Sequence, residues 1–267
     1  MRYNKILLVL LFAVLPCTAQ NTIVATPSRS TLRAYDNFNH RLLSPELWTT
    51  SNACFTTNGQ DLECVREIAQ GKLRLAHRNF GLRDSDEGVS VGSNAVNFVN
   101  PSSIKSITTD VTVRNFEESS CPANQQIGAH ANIEATFFNT GSGLPEDDVG
   151  ALLGFGTQAP PGQLMVFGQT FYHGNLLFLF LGNVPIGTPV TFTLTWDQPN
   201  HQFLVSWTNL VTHVTKNETM PYNSLSDTTP AASPGGAMTV NTYPANCTSV
   251  ATWVYMEAIF DNVYVLH

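Results

Sequence analysis

The sequence is poor in charged residues. Asp, Glu, Lys and Arg make up 12% of its 267 residues, and 13 basic residues stand against 20 acidic ones, for a net charge of −7. Binding to nucleic acid or to an anionic membrane needs clustered Lys and Arg, so this balance argues against both partners. The chain is rich in Thr, Asn, Ser and Gly, which is typical of a secreted β-domain, and its length fits one domain.

Several motifs that carry chemistry are also missing. The chain has no G-x-S-x-G, no H-E-x-x-H, no phosphate-cradling glycine loop and no C-x₂-C. Their absence argues against a serine hydrolase with a nucleophile elbow, a zinc peptidase, a nucleotide-binding loop and a zinc finger. The seven histidines are scattered, without the spacing of metal ligands. We find no internal repeat and no second domain.

The one long apolar run lies at the start of the chain. Residues 1–19 combine a basic start, the apolar stretch Ile6–Leu15 and a small-residue exit, which predicts a secretory signal peptide cleaved after Ala19. The run is too short for a membrane span, and no other segment is long enough to cross a membrane. We therefore predict a secreted protein, with residues 20–34 as a polar lead-in to a single domain over residues 35–267.

Cysteine usage agrees with export. Cys17 lies inside the predicted signal, and Pro16 before it disfavours a lipoprotein anchor, which needs a small residue there. The other four cysteines are an even number, which in an exported protein indicates disulfides with three possible pairings. We predict Cys54–Cys64, which closes a short loop, and Cys121–Cys247, which joins distant segments. A zinc site is the alternative, but the spacing does not support it.

The periodicity of the chain is that of β-strands. In "TFTLTW", Phe192, Leu194 and Trp196 alternate with threonines, and "KLRLAHR", "TDVTVRNF" and "VGALLGF" alternate in the same way. Helical signals are limited to one turn in "SPELW". Many short strands separated by turns predict an all-β antiparallel sandwich or barrel.

Several stretches resemble concanavalin A-like lectin/glucanase domains. They are "YDNFNHRLLSPELWTT", "REIAQGKLRL", "IEATFFNTG", "DDVGALLGFG", "TFTLTWDQPNHQF" and the closing "AIFDNVYVLH". The resemblance spans roughly residues 35–267 in the expected order. It implies a concanavalin A-like antiparallel β-sandwich, or jelly roll, of two curved sheets whose concave face often holds carbohydrate.

The closing strand contains an unexpected carboxylate. Read as a strand, the segment places Ile259, Asp261, Val263 and Val265 on one face, where a lone carboxylate is costly. In the family that the chain resembles, the first and last strands are neighbours, which would bring Asp36 beside Asp261. Two adjacent carboxylates repel each other unless a cation lies between them, and calcium suits them. The resemblance thus implies a structural calcium; the alternative is that each Asp caps a turn or accepts backbone N–H bonds.

The sequence lacks the Glu-x-Asp-x-x-Glu strand of related glucanases. "HANIEATF" instead places His130, Asn132 and Glu134 on one strand face with a single carboxylate, whereas a glycosidase needs two. Asp147 and Asp148 lie nearby in sequence, but spacing alone does not bring them to Glu134. A solvated strand face is therefore favoured over catalysis.

These observations favour a non-catalytic role. Asn132, Glu134 and His130 are the candidate ligand-binding residues, because amide and carboxylate groups hold sugars by hydrogen bonds while an aromatic ring stacks on the sugar. Trp48 or Trp253 would be the ring, although the core is the expected place for either. We predict a secreted carbohydrate-binding, lectin-like or surface-interaction domain. The alternative is a glycan-cleaving enzyme, a glycoside hydrolase or polysaccharide lyase, with a non-standard active site.

Overall fold

A computed structural model of the chain describes residues 32–49, 54–56, 63–119, 128–172, 175–222 and 227–267. The predicted signal peptide, most of the lead-in and Cys121 lie outside these residues. Within the described ranges, no helix has the length and apolar character needed to span a membrane.

Strands are numbered along the chain and form two antiparallel sheets in the described residues. Sheet A consists of β1 (Arg33–Asp36), β4 (Glu63–Ala69), β5 (Lys72–Phe80), β7 (Ser106–Glu118), β12 (Val190–Asp197), β13 (Gln202–Asn209), β14 (Thr215–Pro221) and β16 (Trp253–Leu266). Its spatial order is β14-β13-β12-β7-β16-β5-β4, and β1 also pairs with β16.

Sheet B consists of β2 (Trp48–Thr49), β3 (Cys54–Thr56), β6 (Gly92–Phe98), β8 (Gly128–Asn139), β9 (Asp148–Gly156), β10 (Gln163–Tyr172), β11 (Asn175–Pro185) and β15 (Gly236–Tyr243). Its order is β11-β10-β9-β8-β15-β6-β2, with β3 also paired to β6. Short 3-10 turns lie at Pro101–Ser103, Pro145–Asp147 and Gln198–Asn200. The architecture confirms the predicted concanavalin A-like β-sandwich.

The alternating residues fill the core between the sheets. Phe192 and Leu194 of β12 are fully buried, as are Leu153 and Phe155 of β9. The rings of Phe155 and Phe192 meet across the sheets with centroids 4.8 Å apart. Burial of each such side chain stabilises the fold by about 1.5–3 kcal/mol, so the period-two pattern is a direct record of the sandwich.

The prediction that Asp261 lies in the same row as Val263 and Val265 is wrong. Along β16, Phe260 points into the core, and beyond the irregular pairing at residues 261–264 the inward residues are Val263 and Val265. Asn262 has a left-handed backbone with φ 52°, which shifts the alternation by one residue. Asp261 therefore lies on the outer face of sheet A, where its carboxylate is 3.1 Å from Lys72 Nζ.

The predicted disulfide between Cys54 and Cys64 is present, with Cα atoms 6.3 Å apart. It joins β3 of sheet B to β4 of sheet A, so it links the two layers in addition to closing a short loop. Cys247 is buried, and because Cys121 is outside the described residues, the Cys121–Cys247 pairing stays a prediction.

Polar groups bridge the sheets beside this disulfide. Asn94 of β6 is fully buried, and its Nδ2 donates to the carbonyl oxygens of Val65 (2.7 Å) and Ala76 (3.0 Å) in sheet A. His77, also fully buried, has its Nδ1 2.7 Å from Thr242 Oγ1 of sheet B. Burial lowers the pKa of His77 to about 4, so its ring is neutral at physiological pH.

Removal of the inter-sheet disulfide should destabilise the sandwich. We expect the Cys54→Ser/Cys64→Ser double variant to lose about 2–4 kcal/mol in free energy of unfolding, because the unfolded chain gains freedom when the cross-link is absent. Urea denaturation of the folded protein measures this loss. Each single variant breaks the same bond and should lose a similar amount; an unchanged midpoint in all three would contradict the expectation.

Candidate functional site

The outer face of sheet B carries the polar row formed by His130, Asn132 and Glu134. On β8, Ala131 and Ile133 are fully buried in the core, so the intervening residues point away from it. The structure thus places the three predicted ligand-binding residues on one face, as the sequence alternation required.

Asn132 acts inside this row as a positioning residue. Its side chain is fully buried although it is on the outer face. Its Nδ2 donates to Glu134 Oε2 at 2.9 Å, and its Oδ1 accepts from Asn241 Nδ2 at 3.3 Å. Asn241, on the neighbouring β15, also donates to Thr239 Oγ1 at 3.1 Å. Asn132 therefore fixes the Glu134 carboxylate, and the face is recessed enough to exclude water from an amide at its centre.

Burial tunes the ionisable groups of this face. The pKa of Glu134 is raised by desolvation, a shift that the hydrogen bond from Asn132 partly opposes. The pKa of Tyr243 is raised to about 12 by burial and by the nearby charge of Glu134, and that of His130 is lowered to about 4 by burial. At neutral pH, His130 and Tyr243 are therefore both uncharged.

Four side chains on this face are half-buried and have unused hydrogen-bonding capacity. Within the described part of the chain, no protein group bonds to the His130 ring nitrogens, Glu134 Oε1, the Gln169 amide or the Tyr243 hydroxyl. Gln169 belongs to the same cross-strand row as Glu134, because both pair with Leu152 of β9. The His130 ring centroid is 5.1 Å from that of Tyr243 and 4.8 Å from that of Phe167.

Glycines on β9 allow side chains of the neighbouring strands to pack closely against its outer face. The outward positions of the strand "VGALLGFG" are glycines except for Leu152. A Cβ at Gly154 would lie 2.5 Å from both Ala131 O and Asn132 Cβ, and one at Gly150 would lie 2.1 Å from the Phe171 ring. Glycine here lets Asn132 and Phe171 lie against the strand, and close approach of this kind is a common reason for glycine within a strand.

Asp147 and Asp148 are not brought to Glu134. Asp148 is four residues along β9 from Leu152, the partner of Glu134, which corresponds to roughly 13 Å. Its carboxylate accepts from Asn139 Nδ2, Ala232 N and Ser233 N at 2.7–2.8 Å. That separation exceeds the spacing of about 5 to 10 Å between the two carboxyl groups of a glycosidase.

The two tryptophans considered as sugar platforms have other contacts. Trp48 is buried, its Nε1 donates to Asp36 Oδ2 at 2.7 Å, and its ring packs on Tyr35 and Phe98. The ring of Trp253, on sheet A, is covered by the Arg78 guanidinium at 5.2 Å. Neither ring lies on the outer face of sheet B.

The two carboxylates predicted to bind calcium lie in different surroundings. Asp36 Oδ1 accepts from Phe38 N and Oδ2 from Trp48 Nε1, both at 2.7 Å, whereas Asp261 pairs with Lys72. In the described chain, no group of three or more His, Cys, Asp or Glu side chains is arranged to hold a metal ion. As they lie, Asp36 and Asp261 do not fit the oxygen cage that calcium requires, and the calcium site stays a prediction.

Comparison with known proteins identifies similar folds and no family. No protein-family model and no curated protein matches the chain. The CBM2 module of the evolved Dit of Lactobacillus casei BL23 phage J-1 aligns with 89% of this chain and 98% of its own, at 9% identity and a TM-score of 0.43.

Two other solved structures are similar at the same level. Scytalido-glutamic peptidase with a transition state analog inhibitor covers 68% of this chain and 81% of its own, at 10% identity and a TM-score of 0.41. Lectin II from Ulex europaeus covers 78% and 97%, at 10% identity and a TM-score of 0.36. These similarities concern the arrangement of strands and carry no argument about function.

A calcium titration tests the metal site directly. The calcium hypothesis predicts a higher melting temperature in excess calcium than in EDTA. Because N–H groups and Lys72 already bond to Asp36 and Asp261, the contacts of these carboxylates favour the opposite result, the same melting temperature in both. Thermal unfolding followed by circular dichroism measures it. A calcium-dependent rise that Asp261→Ala abolishes and Glu218→Gln, on the exposed edge strand β14, retains would establish the site instead.

The raised pKa of Glu134 has a consequence for stability. The folded state holds the Glu134 proton more tightly than the unfolded chain does. Glu134 therefore makes its full contribution to the free energy of unfolding below its unfolded-state pKa, and that contribution is lost as pH rises through its folded-state pKa. We therefore expect Glu134→Gln to be more stable than wild type at pH 7, with the gain shrinking towards pH 4. Urea denaturation at both pH values measures it, with Glu218→Gln as control. A gain that does not change with pH would contradict this account.

Proposed function

We propose that this protein is an exported glycan-binding protein and that the outer face of sheet B holds the ligand. The observation that supports the proposal is the set of half-buried, unpartnered polar groups on His130, Glu134, Gln169 and Tyr243. Solvent reaches these polar atoms, so a ligand that binds here replaces their water with its own hydrogen bonds, each worth about 0.5–1.5 kcal/mol net. Such groups are expected where a polar ligand binds.

Their chemistry suits sugar hydroxyls, each of which both donates and accepts. The Gln169 amide offers both functions, Glu134 Oε1 accepts, and the neutral His130 ring has one donor and one acceptor nitrogen. The Tyr243 hydroxyl stays protonated at neutral pH and is a donor as well as an acceptor. Asn132 and Asn241 contribute indirectly, by holding the Glu134 carboxylate in place.

The arrangement supports binding better than cleavage. A glycosidase of the usual kind uses two carboxylates, and in the described residues Asp147 and Asp148 lie too far along the strands to assist Glu134. A polar face with one oriented carboxylate matches a binding site, in which that carboxylate accepts hydrogen bonds from the ligand.

The first test is depletion of the mature protein from solution by a panel of insoluble polysaccharides, with released reducing sugar measured in the same tubes. We expect binding without release. Gln169→Ala and Tyr243→Phe should each weaken binding by about fivefold, since each removes a hydrogen bond of ordinary strength. Glu218→Gln, on the edge strand of the other sheet, is the matched control.

Three results would count against the proposal. Failure to bind any polysaccharide would leave a protein-interaction or structural role for the sandwich. Binding that all of these variants retain would place the glycan elsewhere on the surface. Release of reducing sugar would show an enzyme and require a second catalytic group.

A further inference from the structure

Two exposed phenylalanines extend the same face at the edge of sheet B. Phe178 and Phe180 of β11 have exposed fractions of 49% and 57%, which is unusual for side chains of this size. They pair with Gln169 and Phe167 of β10, and both of these residues point outward. The aromatic pair is thus continuous with the polar face described above.

The orientation of Phe178 is fixed from below. Phe167 is fully buried, and its ring lies nearly parallel to that of Phe178, with a centroid separation of 5.4 Å and an interplanar angle of 19°. Phe167 also contacts His130, which ties the aromatic group to the polar row. An exposed ring held flat in this way is suited to stacking against the apolar face of another ring.

The charge of the face limits what can lie on it. Among the described residues, the outward positions of β8, β9, β10, β11 and β15 include no Lys or Arg. Their carboxylates are those of Glu134 and of Asp148 at the start of β9, and the Asp148 oxygens already accept from Asn139, Ala232 and Ser233. Lys216, near β11, is turned to the other side: its Nζ donates to Leu181 O at 3.1 Å and lies 5.9 Å from the Trp207 ring centroid. An acidic ligand would meet repulsion from Glu134 with no cation to offset it.

We propose that the ligand is a neutral oligosaccharide chain that crosses the strands from the polar row to β11 and stacks on Phe178 and Phe180. This inference rests on the proposed function and specifies its ligand. From β8 to β11 is three strand spacings, roughly 14 Å, which is longer than one sugar ring. The polar row fixes the hydroxyls of one unit, and the aromatic pair holds a later unit of the same chain.

The experiment is isothermal titration calorimetry with soluble oligosaccharides of increasing length. It compares neutral glucan, mannan and xylan fragments with oligogalacturonates of equal length. The proteins are wild type, Phe178→Ala, Phe180→Ala, Gln169→Ala and Leu42→Ala, the last removing an 81% exposed side chain from the segment between β1 and β2. Circular dichroism and melting temperature confirm that each variant is folded.

We expect neutral fragments alone to bind, with affinity rising beyond one sugar unit. Each Phe variant should lose about tenfold in affinity for the longer fragments, at the upper end of what an aromatic contact contributes. Its affinity for a single sugar should not change, because that unit lies on the polar row. Leu42→Ala should match wild type throughout.

The failures of the two proposals are distinguishable. Loss of affinity in Gln169→Ala with none in either Phe variant would overturn the aromatic platform and leave the glycan site standing. Tighter binding of oligogalacturonates would overturn the neutral class. If no fragment binds and sedimentation shows a dimer that Phe178→Ala dissociates, β11 is a self-association edge and both proposals fail.

Discussion

The phase of alternation along each strand is the constraint on which the rest of this structure depends. Because side chains alternate along the regular part of β8, a slip of one residue there would send Asn132 and Glu134 into the core and expose Ala131 and Ile133. The packing of apolar side chains between the two sheets prevents that slip. The same packing therefore determines that His130, Asn132 and Glu134 face outward, so the position of the candidate site follows from the packing of the core.

The fold was largely predictable because each strand of a sandwich alternates apolar core residues with outward residues, and this period of two is visible in the sequence. Strands β9 and β12 were evident from their alternating apolar residues, and the Cys54–Cys64 bond followed from cysteine number and spacing. Asp261 shows where this reasoning fails. Periodicity assumes a regular strand, whereas Asn262 adopts a left-handed backbone and shifts the pattern by one residue. Asn adopts the left-handed conformation more readily than most residues, but the presence of one Asn in a strand does not predict that conformation.

The site was predictable only within one strand. His130, Asn132 and Glu134 share a face by local spacing, but Asn241 and Tyr243 arrive on β15 and Gln169 on β10, and strand order cannot be read from alternation. A signal was available in "VGALLGFG", where glycine at alternate positions marks a strand with little side chain on one face. Full burial of Asn132 was not foreseeable, because it depends on neighbours that fold over it from other strands.

The disulfide has a mechanical meaning as well as a thermodynamic one. Cys54 and Cys64 fasten β3 to β4, which lie at the same lateral edge of the two sheets. At the opposite edge, β11 and β14 meet through packing and the bond from Lys216 to Leu181 O. Among the described residues, the two sheets are thus linked covalently at one lateral edge and by noncovalent contacts at the other. The strand that bears Phe178 and Phe180 therefore lies at the edge where, among the described residues, noncovalent contacts alone join the two sheets.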